Sequence, residues 1–103
     1  MPNINYRAGR AYEYQRMQHY RKVLGHDCWR SAGSHGHFDL TSVSPGGDVY
    51  FIQNKRVDTE AQAKRLIKNF MDRPPLGHRA RARYTQVMEV YVKALRTTIE
   101  GYV

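Results

Sequence analysis

Asp39, Gln53 and Lys55 are the residues of this chain whose types and spacing suit chemistry. Asp39 falls in one alternating run, and Gln53-Asn54-Lys55 falls in another just beyond the turn signal Ser44-Pro45-Gly46-Gly47-Asp48. Strands joined by so tight a turn pair antiparallel, which carries Asp39 beside Gln53 and Lys55. Because side chains alternate along a strand, Gln53 and Lys55 share one face and Asn54 points away. An acid, an amide oxygen and an ammonium then converge. A hard cation such as Mg²⁺ takes oxygen ligands, and the Asp39 carboxylate, the Gln53 carbonyl and a backbone carbonyl near Asn54 would supply several of them. Such a cation polarises a phosphodiester and activates water, while the ammonium faces the developing negative charge. The same residues also suit the solvated face of a half-exposed sheet. Against that, Val49 and Phe51 make the Gln53 side partly apolar, where an unpartnered charge is costly.

The elements that must position these residues follow from pattern and punctuation. Ala11, Tyr14, Met17 and Tyr20 recur at helical spacing within Arg10 to Leu24, and Gly25 is placed to close a first helix. A short strand, His26 to Arg30, leads into a loop from Ser31 to Gly36, and His37 to Val43 reads as a strand with Phe38 and Leu40 on one face. Val49 to Val57 completes a hairpin. Thr59 and Gln62 form a capping box ahead of the apolar stripe Ala63, Leu66, Ile67, Phe70 and Met71, and Pro74-Pro75 ends this second helix. A basic connector from Leu76 to Arg83 follows, then strands over Tyr84 to Lys93 and Thr97 to Val103. The predicted architecture is α/β: a mixed sheet flanked by helices, in the order α-β-β-β-α-β-β, as one domain spanning residues 1–103.

Charge points to the partner. Seventeen Lys and Arg against nine Asp and Glu leave a formal net charge of +8, which favours a polyanion, nucleic acid first and an acidic membrane surface second. The single cysteine, Cys28, excludes an intrachain disulfide framework and suits a reducing, cytoplasmic setting. The segment MPNINYRAGR has no apolar stretch of the signal-peptide kind, and no run reaches the length of a membrane span. Neither a membrane nor an organic cofactor is expected.

Several segments taken together resemble a known family. Tyr6-Arg7-Ala8-Gly9 followed by Glu13, then Trp29-Arg30-Ser31-Ala32-Gly33-Ser34, Phe38-Asp39 and Gln53-Asn54-Lys55 are similar to archaeal and viral Holliday-junction resolvases of the PD-(D/E)XK superfamily, over nearly the whole length. The resemblance implies a restriction-endonuclease-like fold and a divalent-metal-dependent endonuclease that resolves four-way DNA junctions. It implies Glu13, Asp39 and Gln53 as ligands of Mg²⁺, which Mn²⁺ can replace, and Lys55 as the residue that positions or activates the attacking water. It places Arg30 with Ser31 or Ser34 on the DNA backbone and Arg7 and Arg10 beside the first helix as further DNA contacts. Symmetric cutting of two strands implies a homodimer, with Phe70, Met71 and the closing strands as interface candidates.

Two departures stand out. Gln53 replaces the motif glutamate, which removes a negative charge and should weaken cation binding. The loop around Gly36 also carries His35 and His37, bulkier than many relatives have. Alternatives within the wider reading are a nuclease for other branched, nicked or duplex DNA, or a DNA-binding module that cleaves poorly. Zinc held by Cys28, His26, His35 and His37 is disfavoured because no Cys-x-x-Cys pair is present, and nothing marks Cys28 as a low-pKa nucleophile. His19 and His78 read as surface residues. Tyr12, Tyr14 and Tyr20 read as core or interface.

Overall fold

A computed structural model describes residues 4–31, 38–78 and 83–103, with the side chains of the first helix described from residue 8 onward. Helix α1 spans Ile4–Gln18 and runs on into a π-helical turn, His19–Val23. Strands β1 (Asp27–Arg30), β2 (Leu40–Val43) and β3 (Val49–Val57) come next, then helix α2 (Glu60–Asp72) and strands β4 (Tyr84–Val92) and β5 (Thr97–Tyr102). The five strands form one mixed sheet in chain order. Every neighbouring pair is antiparallel except β3 and β4, which α2 joins as a parallel crossover.

The sheet separates two apolar clusters. Met17, Tyr20, Cys28, Leu40, Ile52 and Val87 pack on the α1 side. Phe38, Ala63, Phe70, Met88, Val90 and Val92 pack on the α2 side, with Phe51 and Val57 against them. Alternation along β3 therefore sends Tyr50 and Ile52 toward α1 and Phe51 and Val57 toward α2. Helix α2 begins where its sequence says it should, since Thr59 accepts from the Gln62 amide and the Gln62 side chain accepts from the Thr59 amide. Its approach to β5 is close: a Cβ on Gly101 would stand 2.5 Å from Ile67 Cγ2.

Some sequence expectations need correction. Helix α1 and its π-helical turn are packed through Tyr12, Met17 and Tyr20, whereas Tyr14 and, past the turn, Leu24 are exposed, so the buried face is rotated from the one the periodicity suggested. It also begins before Arg10. The second strand starts only at Leu40, because the chain bends at Asp39. Phe38 and Leu40 consequently lie in opposite clusters rather than on one face. Phe70 is buried in the core on the α2 side, whereas Met71 is exposed. Among the described residues no helix is long and apolar enough to cross a membrane. The loop residues Ser34, His35 and His37, and the arginines Arg79 and Arg81 of the connector, lie outside the described residues.

Candidate functional site

Glu13 is carried by the middle of α1, and Asp39 by the bend that precedes β2. The two carboxyl groups come within hydrogen-bonding reach of each other. Backbone bonds hold the bend in place: the Asp39 amide donates to the Ile52 carbonyl at 2.8 Å, and the Ser31 amide donates to the Asp39 carbonyl at 2.9 Å. The carboxylate itself accepts from the Asn54 amide at 2.8 Å. This bond exists because β2 has not yet begun at Asp39, which leaves the Asn54 N–H without a strand partner on that side.

Arg30 completes this group. Its guanidinium lies 3.6 Å from Glu13 Oε2 and 5.9 Å from the centre of the Tyr14 ring, while its buried Nε has no hydrogen-bond partner among the described residues. Burial, then the neighbouring Asp39, raises the Glu13 carboxyl above its ordinary value despite the opposing influence of Arg30 and Arg10. Two acids pressed together in this way form a site short of positive charge. The sign of the stability effect follows from linkage. A carboxyl raised in the folded state favours folding fully below its unfolded value, and that contribution is lost as pH rises through the folded value. Glu13→Gln is therefore expected to raise the thermal midpoint at about pH 8 and to leave it nearly unchanged at about pH 4. An equal response at both values would remove the electrostatic account.

Gln53 and Lys55 belong to the opposite face of β3. Their β4 partners in register are Met88 and Val90, both in the α2-side cluster. Asn54, between them, is opposite Glu89 and faces α1. Among the described residues no hydrogen bond or ion pair engages the side chain of Gln53 or Lys55. Glu13 and Asp39 are thus brought together, whereas Gln53 and Lys55 are not: both face the α2 side of β3, away from the helix that carries Glu13, which corrects the convergence expected from the sequence. Ser31 joins through its backbone. Arg10 is exposed and electrostatically coupled to Glu13. The Arg7 side chain and Ser34 lie outside the described residues.

The donor set fits a hard divalent cation in kind, since Glu13, Asp39 and Gln53 offer oxygen only. Among the described residues no three of Asp, Glu, His or Cys gather as a metal cluster, and Gln53, on the α2 side of β3, would have to turn toward the pair to serve as a third protein ligand. A cleft of about 480 Å³ opens at the carboxyl end of β3, lined among others by Gly9, Tyr12, Lys55, Arg56, Asp58 and Lys93. Asn54 also lines it, which connects it to the residue that holds Asp39. Lys93 is paired with Asp58 at 3.4 Å, and Arg56 lies over the Tyr91 ring at 5.4 Å. Three cations against one acid make the cleft basic.

The neighbouring network was not visible in advance. Glu89 is fully buried, and its Oε2 accepts from Arg16 Nη2 at 2.6 Å, Arg16 Nε at 3.1 Å and the Tyr20 hydroxyl at 3.0 Å. Its other oxygen accepts from Asn54 Nδ2 at 2.9 Å. A lone acid amid Val87, Met88, Val90 and Val92 was the available signal, because burying such a charge requires a partner. Cys28 is buried, and burial pushes its thiol up, which removes it as a nucleophile. His26 bonds Ser42 at 2.9 Å and stacks on Tyr50, a structural role.

Comparison with known proteins finds no matching family model, no curated relative and no solved structure with a significant likeness.

Proposed function

We propose that this chain is a divalent-metal-dependent DNA endonuclease of the PD-(D/E)XK type, with a restriction-endonuclease-like fold and with glutamine at the motif acid, acting on four-way junctions as a homodimer. The observation that carries the reading is the contact of Glu13 with Asp39 at the hairpin whose other strand bears Gln53 and Lys55. Two acids held together by α1 and a strand bend repel, and Arg30 and Arg10 offset this only in part, so a further cation is favoured between them. The basic cleft and the net charge of +8 supply the match to a polyanion.

Glu13 and Asp39 would hold Mg²⁺ or Mn²⁺, with Gln53 turning toward them from the α2 side of β3 as the third ligand, and the ion would contribute Lewis acidity at the phosphate when bound. The chain's own residues do the remainder. Lys55, exposed and unpaired among the described residues, lines the basic cleft beside Asn54 and would supply positive charge toward the scissile phosphate, although Glu13 and Asp39 do not themselves line that cleft. Arg56 and Lys93 bind flanking phosphates. Arg30 restrains Glu13 and so fixes one wall of the site.

Gln53 favours a second reading on one specific ground: a site with one acid fewer binds cations more weakly, which suits a junction-binding module with feeble cleavage. One panel decides between them. Junction, flap, nicked and linear duplex DNA are incubated with Mg²⁺ or Mn²⁺, and binding and cleavage are scored together. Gln53→Glu is expected to tighten Mn²⁺ binding and to keep or raise cleavage, and Lys55→Ala is expected to abolish it. Binding without cutting by both the parent and Gln53→Glu, at every metal concentration, would leave only the binding module. Affinity for DNA should fall steeply with salt in either case.

A further inference from the structure

We propose that Asn54, Glu89 and Arg16 form a clamp that positions Asp39 and Glu13 for cation binding, with Asn54 as the positioning residue for Asp39; the inference rests on the nuclease reading above. Asn54 sits between Gln53 and Lys55 but faces the other way, and it is bonded at both ends. Its backbone amide donates to Asp39 Oδ2 at 2.8 Å, and its side-chain amide donates to Glu89 Oε1 at 2.9 Å. Glu89 in turn holds Arg16 at 2.6 Å. Arg16 lies three residues beyond Glu13, on the same face of α1. One continuous run of hydrogen bonds therefore ties the helix that carries Glu13 to the strand amide that aims Asp39.

The chemistry of the pair makes the link directional. An ionised carboxylate only accepts, so Asn54 must present its NH₂ to Glu89, and this leaves Asn54 Oδ1 buried with no partner among the described residues. An unpaired amide oxygen is unfavourable, yet a buried carboxylate short of a donor is worse. The ion pair alone does not require an amide here, since Arg16 and Tyr20 already occupy the other oxygen. What the amide adds is a fixed position for the β3 backbone at the residue that bonds Asp39.

The test exchanges donor and acceptor. Asn54→Asp sets a carboxylate against Glu89 and breaks the link, whereas Asn54→Asp combined with Glu89→Gln restores it with polarity reversed, the new amide donating to the new carboxylate. The first readout is hydrogen exchange of the residue-54 backbone amide relative to other β3 amides, which needs neither metal nor DNA. The second is Mn²⁺ affinity followed by electron paramagnetic resonance. Asn54→Asp is expected to speed exchange and weaken Mn²⁺ binding by about tenfold each, the scale of a lost charge-assisted hydrogen bond, and the double variant to reverse most of both. Unchanged exchange and affinity beside a lowered thermal midpoint would overturn the clamp, as would a double variant no better than the single one. If Asn54→Asp does not fold, Asn54→Ala removes the donor without adding charge and is read the same way. A parent protein that neither binds Mn²⁺ nor cuts DNA refutes the nuclease reading, and the exchange arm still decides whether Asn54 holds Asp39.

Discussion

Asp39→Ala is expected to lower metal-dependent DNA cleavage by at least about a thousandfold, the scale of several kcal/mol of transition-state stabilisation by a bound cation. Two losses combine in that variant. The site gives up a charged oxygen ligand, and the Asn54 amide gives up its acceptor. Asp39→Asn separates them, because its side-chain oxygen can still accept from Asn54 while the negative charge is gone. The expected pattern is therefore loss of cleavage in both, with a lower thermal midpoint in Asp39→Ala alone. Single-turnover cleavage of a four-way junction in Mg²⁺ and in Mn²⁺, beside thermal denaturation, provides the measurement. DNA binding should persist in both variants, since phosphate contacts by Lys and Arg do not depend on Asp39. Cleavage by Asp39→Ala at the parent rate would sink the assignment of the site.

The second large effect concerns stability. Arg16→Met should destabilise the fold by about 3 to 5 kcal/mol, because it leaves the carboxylate of Glu89 buried without its counter-ion. For a domain of this size, with about 5 to 15 kcal/mol in total, that is a large share. A fall in thermal midpoint of about 15 °C or more follows from the usual entropy of unfolding. Burial raises the Glu89 carboxyl, while the Arg16 guanidinium on the same oxygen opposes the rise. Arg16 itself is held charged by Glu89 more strongly than burial disfavours it. Donors alone surround the Glu89 oxygens, so the ionised form is the one the parent protein is built around. Without Arg16 the raised value climbs further. The stability this group contributes is full below its unfolded value and is lost as pH rises through the folded one, so Arg16→Met should be least impaired near about pH 4. Adding Glu89→Leu to Arg16→Met is expected to recover part of the loss, limited by the stranded Tyr20 hydroxyl and Asn54 amide. Full stability of Arg16→Met at neutral pH would contradict the account.

Much of the scaffold was legible in residue order because the signals are local. The capping box at Thr59 and Gln62 marks the start of α2, and the proline pair bounds it, since each works through its own few neighbours. The turn at Pro45 to Asp48 sets the β2–β3 hairpin for the same reason. The buried face of α1 was misread. Tyrosines at Tyr12, Tyr14 and Tyr20 are amphipathic, and spacing alone does not tell which of them reaches the sheet and which keeps its ring in water. The bend at Asp39 was missed too, because Phe38 and Leu40 look like alternate members of one strand until each is drawn to a different apolar cluster.

Residue types and spacing by themselves determined a basic α/β chain with a tight hairpin whose second strand carries an amide and an ammonium, since charge, turn chemistry and period-two alternation act at short range. Only the tertiary structure decided that Glu13 meets Asp39, that Arg30 attends Glu13 instead of standing free, and that Glu89, buried on β4, draws Arg16, Tyr20 and Asn54 around itself. Those contacts join residues from 17 to 73 positions apart in the chain. What selects them is the cost of burying an unpaired charge, a quantity that exists only once packing has removed the water.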